Sequence, residues 1–228
     1  MTVNDMIWKG IELGEKKDYD NAIVEFTKAI QTDKKSLDAL FNRGLTYYLQ
    51  GKYDESISDY TEALKLDPVP EKVCDIYYNR GLAFSAKRDL RRAIENFTNV
   101  LKINPEHVDA YTSRGDYYAE IGNSDLAIED CTKALKINEN NANAYNNRGT
   151  AYSEIGEQTL AIEDFSMAIN FKQDFAEAYY NRGLSFAKTN IFEKAYSDIE
   201  QTLEYGPNNE YAKKLKEEIL KYFKPKNQ

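Results

Sequence analysis

Apolar residues in this chain fall at helical spacing in short blocks, and the blocks recur. In YYNRGLAF, Tyr77, Gly81 and Phe84 stand at i, i+4 and i+7, on one face of a helix. In AIENFTNVL, Ala93, Phe97, Val100 and Leu101 follow the same rule. Between such blocks stand Gly51, Gly122 and Gly156, each placed to end a helix. The pattern predicts pairs of helices, each of roughly three to four turns.

The blocks keep a period. Gly10, Gly44, Gly81, Gly115, Gly149 and Gly183 are separated by 34, 37, 34, 34 and 34 residues. A small residue runs in step with them: Ala22, Ser56, Ala93, Ala127, Ala161 and Ala195. So does a bulky one: Phe26, Tyr60, Phe97, Cys131, Phe165 and Ile199. Ala29, Ala63, Val100, Ala134, Ala168 and Thr202 make a further series, and Pro68, Pro105 and Pro207 close three of the repeats. Six repeats therefore fill 3–36, 37–73, 74–107, 108–141, 142–175 and 176–209, with the glycine eighth in each. The third starts three residues late, through PVPEKV, read as a longer loop or an extra helical turn. Residues 210–224 read as a terminal capping helix, with Tyr211, Ala212, Leu215, Ile219, Tyr222 and Phe223 on its apolar side. Residues 225–228 read as a frayed tail.

Self-similarity near 34 residues is the mark of a solenoid of helix pairs. The pattern resembles the tetratricopeptide repeat (TPR) family. That family has a bulky residue four before the glycine, matched by Met6, Leu40, Tyr77, Tyr111, Tyr145 and Tyr179. An aromatic three after the glycine is matched by Tyr47, Phe84, Tyr118, Tyr152 and Phe186, with Leu13 in the first repeat. The resemblance implies an all-α fold: a right-handed α-α superhelix of six helix-turn-helix repeats plus the cap. It also implies that the first helices line a concave groove.

An arginine precedes the glycine in five repeats: Arg43, Arg80, Arg114, Arg148 and Arg182, with Lys9 in the first. A charge on a half-buried face needs a partner. The second helix offers Glu25, Asp59, Asn96, Asp130, Asp164 and Asp198, at the same height in an antiparallel pair. A bridge within each repeat, or across to the next, is expected; ligand binding by the arginines is the alternative.

Asparagine holds the sixth position in four repeats: Asn42, Asn79, Asn147 and Asn181. That position is rotated about 200° from the apolar fourth, so it faces away from the core stripe. The series resembles the asparagine ladder of the O-linked N-acetylglucosamine transferase repeats, which implies amides holding the backbone of an extended peptide. An amide carries donor and acceptor together, and so can match a peptide unit. The plainer alternative is that these amides solvate the face or bond to a neighbouring repeat. Other groove candidates are Phe41, Tyr78, Tyr180, Leu45, Tyr48, Asn146 and Asp116. The N-terminal part of the face is apolar and aromatic, the usual mark of a partner site. Among groove positions, Glu15, Asp38, Asp75, Asp109, Asp116, Glu120, Glu154 and Glu177 stand against Lys188 alone. Chaperone-binding members of the family hold a carboxylate with Lys and Arg; this face favours a basic or neutral segment instead.

Composition narrows the classes further. The chain of 228 residues carries a net charge of −8, which disfavours nucleic acid and anionic membranes as partners. The N-terminus lacks the pattern of a secretory signal, no stretch has the length of a membrane span, and a cytoplasmic setting is expected. Cys74 and Cys131 have no paired spacing, so neither a disulfide framework nor a metal site is expected. His107, the one histidine, reads as a solvated loop residue in NPEH. No catalytic motif and no cofactor fingerprint is present. The expectation is a non-catalytic protein-interaction scaffold that binds an extended peptide; the alternative is a module that forms homo-oligomers through its groove or repeat ends.

Overall fold

Side chains of Thr, Asp and Asn close four of the helix starts. Thr2 and Asp5 form a reciprocal capping box, Asp89 accepts the N–H of Arg92, Asn141 that of Ala144 and Asn209 that of Ala212. A computed structural model of the chain describes residues 1–224, and the tail read at 225–228 lies outside them. Thirteen α-helices occur among the described residues: α1 (Val3–Glu15), α2 (Tyr19–Thr32), α3 (Leu37–Leu49), α4 (Tyr53–Leu64), α5 (Pro70–Ala86), α6 (Leu90–Ile103), α7 (Val108–Glu120), α8 (Ser124–Ile137), α9 (Ala142–Glu154), α10 (Gln158–Phe171), α11 (Ala176–Lys188), α12 (Phe192–Tyr205) and α13 (Glu210–Ile219). No strand is found among the described residues, and the fold is all-α.

The turn inside each pair uses one backbone device throughout. Gly51, Gly122 and Gly156 have φ of 76°, 81° and 89°, the left-handed region that glycine enters freely. The same fifteenth position is held by Lys17, Arg88 and Asn190 in the other repeats, with φ of 62°, 63° and 60°. All three side chains are exposed, and a non-glycine residue in that region costs about 1–2 kcal/mol, least for asparagine.

Close approach explains the glycine at the eighth position. A β-carbon on Gly149 would fall 2.8 Å from the ring of Phe165 and 3.2 Å from the carbonyl of Ala161. The second-helix series fills the space the glycine opens: Phe26, Tyr60, Phe97, Cys131, Phe165 and Ile199 are all buried.

Contacts divide the chain into an N-terminal unit, Met1–Ala110, and a C-terminal unit from Tyr111 onward. In the N-terminal unit α1 pairs with α2, α3 with α4 and α5 with α6, and α2·α3 and α4·α5 join the pairs. The first helices also touch directly, α1 on α3 and α3 on α5; α2, α4 and α6 make no comparable contact with one another among the described residues. First helices therefore crowd one side of the stack. The C-terminal unit repeats the scheme, with α9·α10 and α11·α12 pairs, α9 on α11, and α13 closing on α12 and α11.

Of the two readings of the third repeat's extra residues the structure takes the helical turn, and the extent of the cap needs correcting. The three extra residues of the third repeat extend a helix: α5 has 17 residues against 13 in α3, and it starts at Pro70, so the boundary set after Val73 falls inside it. Proline suits that first position because its missing N–H would have no helical partner there. The cap ends at Ile219 and is narrower than its sequence suggests. Ala212, Leu215 and Ile219 are buried, whereas Tyr211 is 75% exposed. Tyr222 lies beyond the helix and stacks on Phe192 at 5.1 Å. No helix among the described residues is long and apolar enough to cross a membrane.

Candidate functional site

The arginine series meets the second-helix series in every repeat. Arg43 forks onto Asp59 at 2.8 and 2.7 Å, Arg114 onto Asp130 at 2.6 and 2.8 Å, Arg148 onto Asp164 at 2.7 and 2.8 Å and Arg182 onto Asp198 at 2.8 Å twice. Such bidentate, charge-assisted pairs are the strong kind. A third helix joins: Arg43 also donates to Thr27, Arg148 to Thr132 and Arg182 to Ser166, each on the preceding second helix. Among the described residues Arg80 has neutral acceptors alone, Asn96 at 2.9 Å and Thr61 at 3.1 Å, and burial makes it a weaker base than usual. In the first repeat Lys9 bonds Glu25 at 2.9 Å. These residues are a framework, and they leave the outer side of the first helices to other work.

On the N-terminal unit that side is aromatic. Trp8, at the position asparagine holds elsewhere, is 71% exposed, and Leu49 is 53% exposed. Tyr48 and Leu45 are half-buried. Phe41 leans on Tyr60, centroids 5.7 Å apart, with the Lys72 ammonium 5.8 Å from its ring. Tyr78 stacks on His107 at 5.1 Å and meets Phe97 edge-on. His107 is therefore no simple solvated loop residue: its Nδ1 accepts the Ala110 N–H at 3.2 Å and caps the start of α7. The amides of Asn42 and Asn79 each donate one N–H to their own helix, to the carbonyls of Asp38 and Asp75 at 2.7 and 2.8 Å. Each keeps its oxygen and a second N–H.

On the C-terminal unit the corresponding side is polar and cross-linked. Asn181 donates to Asn146 Oδ1 at 3.1 Å, and Asn146 donates to Glu177 Oε1 at 3.1 Å. Asn147 donates to the Thr112 carbonyl at 3.4 Å, and Asn141 to the Thr112 hydroxyl at 3.2 Å. Asn146 is only 1% exposed, so this groove candidate is a buried junction. Tyr180 packs toward the cluster of Leu215 and Ile219 beneath α13. Thr112, Ser113, Asp116, Asn143, Asn146, Asn147, Phe175 and Glu177 surround a cavity of about 270 Å³. Asp116 keeps contact with solvent, but the nearby protein displaces much of its hydration. Burial first, then the charges of Glu177 and Glu120, push its pKa up to about 6. Ser113 takes the sixth position that asparagine holds in other repeats, and Asn143 and Phe175, at a second position and a turn, carry no sequence signal beyond their placement. Among the described residues no group of three His, Cys, Asp or Glu is placed to hold a metal ion.

Family models described as tetratricopeptide repeat match residues 37–68, 78–142 and 131–163, and one described as TPR repeat matches 12–51 and 151–190. A 51-residue stretch is 41% identical to the Hsp70-Hsp90 organizing protein of Triticum aestivum; it is 22% of this chain and 9% of that protein's length. The solved APC/C hetero-tetramer Cut9-Hcn1 is similar with a TM-score of 0.79 at 19% identity, over 96% of this chain and 43% of that one. The solved MamA is similar with a TM-score of 0.66 at 26% identity, over 74% of this chain and 96% of that one. These likenesses support the repeat fold, which is that of a protein-interaction scaffold.

Proposed function

The chain belongs to the tetratricopeptide repeat family, and from that premise we propose that it is a non-catalytic scaffold whose first-helix sides bind an extended, basic or neutral peptide segment. One observation carries the reading. Asn42 and Asn79 each commit one N–H to a carbonyl of their own helix and Asn147 one to the Thr112 carbonyl, and each retains its side-chain oxygen and a second N–H. A peptide unit needs one acceptor and one donor, and a side-chain amide supplies both with little regard for the ligand's side chains. On the N-terminal unit, Trp8, Leu49 and Tyr48 add apolar surface beside those amides, where aromatic anchors give binding energy. The acidic residues of the C-terminal unit set the sign of the ligand.

The test is capture of peptides from a displayed random library by the protein and by an Asn42→Ala, Asn79→Ala, Asn147→Ala variant. Loss of the captured sequences, with helicity intact by circular dichroism, is the expected result. Equal capture by the variant would sink the amide reading.

A further inference from the structure

The cavity on the C-terminal unit has a composition that the fold does not need. Its walls come from α7, α9, the turn before α11 and the first turn of α11, and they include two carboxylates, three amides, two hydroxyls and one ring. No Lys, Arg or His lines it. Elsewhere in the chain the buried carboxylates Asp130, Asp164 and Asp198 each hold an arginine, whereas Asp116 and Glu177 stand exposed at the cavity and open to a ligand. Glu177 receives only the neutral Asn146 amide, and Asp116 has no hydrogen-bond or ion partner among the described residues. Asn146 is fixed from both sides, by Asn181 and toward Glu177, so one carboxylate is held in place before any ligand arrives. Pre-set acceptors around an open volume are what a cation with several donors requires.

We propose that this cavity takes the cationic side chain of an arginine or lysine, held between Asp116 and Glu177 with Phe175 alongside. The inference rests on the peptide reading above, and it names the side chain that the C-terminal unit selects. An arginine brings five N–H donors to a wall rich in oxygens, and a lysine ammonium brings three. The ring of Phe175 already lies 4.5 Å from the ammonium of Lys172, which is not among the cavity walls. Burial is the first cause of the raised Asp116 pKa and the charge of Glu177 the second, and a bound cation offsets that second contribution.

The experiment uses single residues, so it does not depend on capture of any peptide backbone. N-acetyl-arginine amide, N-acetyl-lysine amide and the neutral N-acetyl-citrulline amide are titrated at millimolar concentration into isotope-labelled protein. The side-chain amide signals of Asn146 and Asn147 are followed by NMR. The two cations should shift those signals, with the effect weakening as salt is added, and citrulline amide should not. Asp116→Asn with Glu177→Gln should lower the affinity at least tenfold, and Asn143→Asp, at an exposed wall, should raise it. Equal shifts from citrulline amide, no shift from either cation, or full affinity in the double variant would each overturn the proposal. A negative result here leaves the library experiment to decide the peptide reading on its own terms.

Discussion

The two units share a framework and differ on the side it leaves free. In both, arginine reaches across to the second helix and a glycine lets the pair close. On the N-terminal unit the first helices then present Trp8, Leu49 and Tyr48, with Phe41 and Tyr78 partly committed to neighbouring rings. On the C-terminal unit they present amides and carboxylates tied into a chain from Asn181 to Glu177. The contrast teaches that helix-pair geometry constrains the seventh, eighth, twenty-third and twenty-fourth positions. The fifth, sixth and ninth can change chemistry without disturbing it. One framework junction also differs between the units: Arg80 meets Asn96, where Arg148 meets Asp164.

That difference sets the largest expected effect. Arg148→Leu strands a buried aspartate and should destabilise the protein by about 3 kcal/mol in urea unfolding. Arg80→Leu leaves a neutral acceptor and should cost about half as much, roughly 1–2 kcal/mol. Equal losses at the two sites would erase the distinction between the junctions. In the opposite direction, Asn96→Asp supplies the missing carboxylate to Arg80, and thermal unfolding should show a gain of about 1 kcal/mol. The smallest effect belongs to Asp116. Its pKa in the folded chain is raised to about 6, so the folded state binds that proton more tightly than the unfolded state does. Its charge therefore opposes folding above about pH 6, and the opposition fades as pH falls toward the unfolded value near 3.9. Asp116→Asn should raise the melting temperature at pH 7 and leave it unchanged near pH 4. A shift of the same size at both values would separate Asp116 from the charges of Glu177 and Glu120.

Much of the framework is legible in the sequence because it repeats. The glycine and arginine series and their second-helix partners each appear six times or nearly so, and periodicity converts weak single signals into a fold. What escapes notice does so for physical reasons. Thr27, Thr61, Thr132 and Ser166 recur in register, yet a hydroxyl on an amphipathic helix looks like ordinary surface until the next repeat's guanidinium is beside it. Lys17, Arg88 and Asn190 carry no local mark of a left-handed backbone; only their alignment with Gly51, Gly122 and Gly156 gives it away. Asn146 and Asn147 are neighbours in sequence and both face the side of the first helices. One is buried because α11 of the following repeat covers it, and a single helix cannot report its neighbour's reach.

The three-helix tether has a consequence for how such a chain can lengthen. Within one period lie an arginine, the aspartate that serves it at home, and the threonine or serine that serves the arginine of the copy behind. A tandem duplication of one 34-residue segment would therefore arrive with both of its junctions already complementary. Its arginine would find a hydroxyl ahead, and its hydroxyl would find an arginine behind. The inserted copy would need no compensating change on either flank. Substitutions on the free side would then leave both junctions intact, whether they make that side aromatic or rich in amides.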